Sequence, residues 1–138
     1  MKRKRPDRVI GCGALDVSPL RTMLLISLSL NVLVLIPVLA TLALNGAAAS
    51  DAWGVDTAAR RILSAIYAAI LAMSVALLAL QLLGRNPLAW AQALLAVQVV
   101  YKVLSAPFVG FRNPVVISNL LIATVHATTL ALTAGTLR

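Results

Sequence analysis

Acidic side chains are the scarcest feature of this chain of 138 residues, which has 4 Asp+Glu against 12 Lys+Arg. All four are aspartates, and they lie in polar segments outside the long apolar runs, at Asp7, Asp16, Asp51 and Asp56. Small exporters that are coupled to protons or sodium need a membrane-embedded acid to bind the coupling ion. The sequence therefore argues against this class of transporter.

Cysteine and histidine are nearly absent, with one residue of each. A single cysteine excludes a disulfide within the chain and the paired thiols of a membrane thiol oxidoreductase. A single histidine gives no His-Glu ligand set of the kind that intramembrane metalloproteases require. No glycine-rich loop suited to phosphate precedes a helix. We therefore expect no enzymatic activity, no catalytic residue, no metal site and no resident cofactor.

Apolar residues are what the chain does contain: 61% of it is hydrophobic and 12% is charged. Soluble domains have roughly 45–50% apolar and about 25% charged residues. After a basic tail at 1–19, the sequence predicts a membrane domain at 20–138 whose four helices cover about 20–44, 57–83, 87–106 and 114–137. Each apolar run is long enough to cross a bilayer as a helix, at ~1.5 Å per residue. The predicted fold class is an all-α integral membrane protein, an antiparallel bundle of four transmembrane helices.

Basic residues near the helix ends predict the orientation of this bundle. The positive-inside rule places both termini in the cytoplasm, because one side then holds Lys2, Arg3, Lys4, Arg5, Arg8, Arg21, Arg85 and Arg138. The other side holds three arginines and, near a helix end, Lys102. The compact loops and the composition rich in Ala, Leu and Arg suggest a bacterial inner membrane.

The basic tail itself predicts a partner. Lys2, Arg3, Lys4 and Arg5 precede a membrane helix without interleaved aromatic residues. Contact with anionic lipid headgroups, at ~1 kcal/mol per basic residue, explains this pattern more simply than binding to nucleic acid. We therefore expect the lipid bilayer as a partner and no nucleic acid.

Polar residues within the apolar runs are the candidate functional residues, because such side chains turn toward the bundle interior or a cavity. They are Asn31, Tyr67, Gln81, Gln98, Tyr101, Lys102, Asn119 and His126. Lys102 has two interpretations: its side chain extends outward to the interface, or it forms an ion pair with Asp56. His126 either forms an interhelical hydrogen bond, for example to Asn31, Tyr67 or Ser74, or ligates a cofactor together with a second chain.

Small residues recur along the second predicted helix, where they form a seam that we call the alanine stripe: Ala65, Ala69, Ala72, Ala76 and Ala79. Small residues at this spacing allow close approach of membrane helices. Together with the lack of catalytic and metal-binding motifs, the alanine stripe favours a non-catalytic accessory or assembly subunit of a larger membrane complex. Its partners would be other subunits, or a second copy of the same chain.

Two alternatives stay open. The first is a small homo-oligomeric transporter or channel for a neutral or anionic solute, whose path would use Gln98, Tyr101, Lys102, Asn119 and His126. The second is a membrane protein that binds lipid, quinone or pigment near a tryptophan or Tyr67.

Overall fold

A computed structural model describes residues 17–137, and this part of the chain is helical and contains no strand. Its five α-helices are α1 (Val17–Leu44), α2 (Ala47–Trp53), α3 (Ala58–Leu82), α4 (Leu88–Val109) and α5 (Pro114–Thr133). A 3-10 turn follows at Ala134–Leu137. The structure confirms the prediction of an all-α chain, and the four basic residues expected to contact headgroups lie outside the described residues.

Four of the helices are long and apolar enough to cross a membrane, which suggests an integral membrane protein. The candidate spans contain 20 to 26 residues, or about 30–39 Å at ~1.5 Å per residue, which matches the thickness of a bilayer core. The sequence did not predict the seven-residue helix α2. It occupies the loop between the first two spans.

Local chemistry explains where several of these helices begin and end. Thr57 caps α3 by accepting a hydrogen bond from the backbone N–H of Arg60. Asn113 caps α5 in the same way through Val115 N–H, and Pro114 occupies the first helical position, where its missing donor costs nothing. Helix α4 continues past the predicted end at residue 106 and stops at Gly110, whose φ of 101° suits glycine.

Hydrogen bonds between helices show that the neighbouring long helices are antiparallel. Along α1, Ser27 and Asn31 meet Thr129 and His126 on α5, in reverse chain order. Along α4, Gln92 and Lys102 bond to Thr133 and Asn119, again in reverse order. The bundle therefore has two ends: the α2 end, which carries α2 and the turn between α4 and α5, and the terminal end, where α1 begins and α5 stops.

Apolar packing fills the bundle in two clusters of buried side chains. The cluster nearer the terminal end consists of Leu24, Leu28, Leu77, Ala91 and Leu95. The cluster nearer the α2 end consists of Leu35, Leu42, Tyr67 and Ile70. Polar side chains lie between and beside these clusters, so the interior is not uniformly apolar.

The alanine stripe lies on the outside of the bundle. All five of its members are exposed, and α3 instead buries a different face, which includes Tyr67, Ile70, Ser74, Leu77 and Gln81. The close approach expected at the stripe is therefore not made among residues 17–137. A helix-packing role for these alanines stays a prediction about contacts with another molecule.

Candidate functional site

Lys102 lies inside the bundle, with only 4% of its surface exposed. Its Nζ donates a hydrogen bond of 3.2 Å to Asn119 Oδ1 on α5 and lies 5.0 Å from the centroid of the Tyr101 ring. No carboxylate among residues 17–137 lies within 4.0 Å of Nζ. A lysine on a candidate membrane span is thus held by a neutral amide and an aromatic ring alone.

The expected ion pair between Lys102 and Asp56 is wrong in this structure. Asp56 instead pairs with Arg61 at 2.8 Å and with Arg60 at 3.8 Å. Asp56 precedes α3 by two residues, so these arginines in the first turn reach it at less entropic cost than a side chain from α4. The hydrogen bond from Arg61 lowers the pKa of the Asp56 carboxyl from its usual 3.8. The side chain of Lys102 is itself buried among the helices.

Two adjoining cavities lie at the α2 end, and both are lined by Ala52, Trp53, Tyr67, Val115 and Asn119. The first, of about 290 Å³, is also lined by Lys102 and by apolar side chains of α1 and α5. The second, of about 450 Å³, is also lined by Asp51, Tyr101 and Ser105. We call them together the α2-end cavity. Its walls combine one cation in the first compartment, one carboxylate in the second, several hydrogen-bonding groups and a large apolar area.

Helix α2 forms the roof of this cavity, and three polar contacts fix it in place. Arg60, which is 5% exposed, donates to the carbonyl oxygen of Gly54 at 2.6 Å and to the side chain of Asn45. Asn113 donates to the carbonyl oxygen of Ala52 at 3.3 Å. The roof is therefore tied both to the start of α3 and to the turn before α5.

His126 lies fully buried at the middle of the bundle. Its Nε2 is 2.9 Å from Asn31 Oδ1, and Asn31 Nδ2 donates to Ser74 Oγ at 3.1 Å. This arrangement connects α5, α1 and α3 through one polar chain. Of the three partners that the sequence suggested for His126, Asn31 bonds to it directly, and Ser74 bonds to Asn31. No group of three or more His, Cys, Asp or Glu side chains that could hold a metal occurs in the part of the chain described.

Hydroxyl and amide pairs hold the terminal end of the bundle. Ser27 Oγ and Thr129 Oγ1 are 2.8 Å apart, and Gln92 Nε2 donates to Thr133 Oγ1 at 3.0 Å. Between these pairs and Lys102 lies Gln98, which is 1% exposed and makes no hydrogen bond to any described residue. Its amide is thus the least satisfied polar group of α4.

The structure brings together only some of the predicted polar residues. Tyr67, Tyr101, Lys102 and Asn119 line the α2-end cavity, while Asn31 and His126 form the central chain. Gln81 lies apart from both groups, in the last turn of α3 at the terminal end of the bundle. Its backbone oxygen accepts a hydrogen bond of 2.8 Å from Arg21. Gln98 is buried between the cavity and the terminal end.

Gln92 and Arg60 are among the buried polar residues that the sequence analysis did not name as candidates. Gln92 shares the buried face of α4 with Gln98 and Lys102, and steps of three and four residues from Lys102 would have found it. Arg60 was counted only as an interfacial charge, and no local signal indicates that its side chain folds inward under α2.

Comparison with known proteins finds no family that the chain matches, and no curated protein or solved structure that it resembles.

Proposed function

We propose that this protein binds, within the membrane, a small amphiphilic ligand whose anionic or hydrogen-bond-accepting head group contacts Lys102. The single observation that carries the proposal is a buried lysine without a carboxylate partner at the wall of a cavity. The proposal keeps the expectation that the protein is not an enzyme, and it takes up the alternative of a lipid or quinone binder.

Electrostatics supports an acceptor at this position. A charge buried in a membrane protein costs free energy unless it is paired and hydrogen-bonded, and such residues mark ligand or ion sites by default. Asn119 supplies one neutral acceptor, but an ammonium group has three donors. An anionic or carbonyl-type oxygen from a ligand would satisfy the remaining donors and lower the cost of the buried charge.

The rest of the cavity indicates the other half of the ligand. Val34, Leu35, Val38 and Ile122 line the compartment next to Lys102, beside the aromatic rings of Trp53 and Tyr67. Largely apolar walls with a few convergent polar groups are typical of small-molecule sites. A head group at Lys102 would thus leave a hydrocarbon or ring portion against α1 and α5.

Tryptophan fluorescence tests this proposal, because the chain has only two tryptophans. Trp53 lines the cavity, whereas Trp90 is 72% exposed at the terminal end. Trp90→Phe therefore leaves one reporter in the cavity, and Trp53→Phe leaves one reporter outside it. The probes are a brominated medium-chain carboxylic acid and the brominated alcohol of the same chain length. We expect the acid to quench Trp53 saturably and more strongly than the alcohol.

The matched variants are Lys102→Met and Lys102→Arg in the Trp90→Phe background. Methionine keeps most of the side-chain volume without the charge, so it should abolish the preference for the acid, while arginine should keep it. Trp90 in the Trp53→Phe protein reports ordinary partitioning into the bilayer and should respond alike to both probes. Equal quenching of Trp53 by acid and alcohol, unchanged in Lys102→Met, would contradict the proposal.

We further propose the orientation and membrane that the sequence suggests: both termini in the cytoplasm, in a bacterial inner membrane. The support is the excess of Lys and Arg on one side of the spans. In a Cys12→Ser background, a cysteine at Gly54 would then be labelled by an impermeant thiol reagent from outside. If the cysteine were labelled only after the membrane is permeabilised, the protein would have the opposite orientation.

An accessory or assembly subunit is the second candidate, and the exposed alanine stripe is the observation that favours it. Small residues that α3 does not use within the chain are available to a helix of another subunit or of a second copy. Purification in mild detergent followed by mass spectrometry tests this: a lone chain argues against it. Flux of an anion across liposomes that is lost in Lys102→Met would instead favour a transporter.

A further inference from the structure

The hydrogen bonds of Asn31 fix the protonation state of His126. Asn31 Nδ2 donates to Ser74 Oγ, so Asn31 Oδ1 is the atom that faces His126 Nε2. A carbonyl oxygen only accepts, and therefore Nε2 carries the proton. In the neutral ring, Nδ1 is then an acceptor. It is buried and has no hydrogen-bond partner among residues 17–137.

Gln98 lies at the same level of the bundle as His126. The bonds from Lys102 to Asn119 and from Gln92 to Thr133 fix the antiparallel register of α4 against α5. Gln98 is four residues from Lys102 and six from Gln92 along α4. Four residues from Asn119 and six residues back from Thr133 along α5 bracket residues 123–127. His126 and Ala123 are the buried residues in that range, and Ala123 leaves space.

Three buried polar atoms thus lie at one level of the bundle: His126 Nδ1, Gln98 Nε2 and Gln98 Oε1, none of which has a partner among the described residues. They comprise two acceptors and one donor group. A water molecule offers two donors and two acceptors, so one water can satisfy all three. Leaving them unpaired in an apolar interior would destabilise the fold, because each group would lose its hydrogen bonds to water without replacing them.

We propose that Gln98 and His126 form an interior site for bound water between α4 and α5. The site does not depend on the ligand proposed for Lys102. Water is favoured over a cation because no carboxylate faces the site from α1, α3, α4 or α5 within the part of the chain described, while Lys102 lies one helical turn away on α4. Interior waters of this kind typically make about three hydrogen bonds to buried polar groups.

Solid-state NMR of the full chain in bilayers tests the site, because His126 is the only histidine. Labelling histidine with ¹⁵N therefore gives one imidazole. We expect its chemical shifts to show a protonated Nε2 and an unprotonated Nδ1, and we expect magnetisation from water protons to reach Nδ1. Gln98→Leu should abolish that transfer, whereas Gln92→Leu, on the same helix face, should leave it unchanged.

The wild-type spectrum alone can overturn the proposal, so the result does not depend on whether a variant folds. A direct coupling between Gln98 Nε2 and His126 Nδ1 would show that the two side chains bond to each other without water. A proton on Nδ1 in place of Nε2 would also overturn it, as would the absence of any transfer from water. In the variants, an unchanged Nε2 signal verifies that the bond to Asn31, and hence the fold, is retained.

Discussion

The two ends of the bundle solve the problem of buried polar groups differently. At the terminal end, neutral side chains bond to one another across helices, as Ser27 does with Thr129 and Gln92 with Thr133. At the α2 end lie both charged side chains that are buried in the described part of the chain, Arg60 and Lys102. This difference indicates that buried polar residues alone do not make a ligand site. A site arises where donors exceed the acceptors that the chain provides and where a cavity gives a ligand room.

Removing one partner at each end gives the largest expected contrast. Asn119→Leu leaves the ammonium of Lys102 without its acceptor, whereas Thr133→Val leaves Gln92 Nε2 a second bond to the Thr133 carbonyl oxygen. We expect Asn119→Leu to lower the free energy of unfolding by about 3 kcal/mol and Thr133→Val to lower it by about 0.5–1 kcal/mol. The first loss is larger because a buried charged group loses its partner. Denaturant titration in detergent measures both. Equal losses would remove the energetic distinction between the ends.

The next comparison is between substitutions of two neighbouring arginines near α2, one buried and one exposed. Arg60 is buried and bonds to Gly54 and Asn45, while the side chain of Arg61 is 75% exposed. Arg60→Met should lower the free energy of unfolding by about 2 kcal/mol, in the range for hydrogen bonds of charged groups. It should also raise the susceptibility of residues 45–56 to proteolysis. Arg61→Met is the matched control, and a similar response in it would mean that burial of Arg60 is not what holds the roof.

A smaller effect is expected for the hydroxyl pair at the terminal end. Ser27→Ala, Thr129→Val and the double variant form a cycle whose coupling energy isolates the 2.8 Å contact. Hydrogen bonds between membrane helices average about 0.6 kcal/mol in such cycles. A coupling energy near zero would show that the contact between Ser27 and Thr129 adds no stability at this end.

The smallest expected effect is a pH dependence at the exposed edge of the α2 end. Because Arg61 lowers the pKa of Asp56 from 3.8, the pair contributes stability above that pH and loses it as the pH falls through the lowered value. Asp56→Asn should therefore flatten the acid side of the stability profile slightly, between about pH 5 and the onset of acid unfolding. Superimposable profiles for the two proteins would show that the pair adds nothing.

The candidate site was predictable in part. The polar residues on the spans could be found from the sequence because a bilayer penalises unpaired polar groups, and seven of the eight candidates, all except Tyr101, are buried. The partner of Lys102 could not be found in this way. Choosing Asn119 over Asp56 depends on the register of α4 against α5, and no local pattern encodes that register.

The number and approximate position of the long apolar helices could be predicted from the sequence, because hydropathy over about 20 residues is a local property of the chain. The sequence also shows that no aspartate or glutamate falls within a long apolar run. Only the folded chain shows that α3 turns its alanine stripe outward and that α2, whose end Arg60 holds, lines the same cavity as Lys102. The physical reason is that the rotation of each helix about its axis is chosen by side chains far apart in the chain, which must pack and pair together.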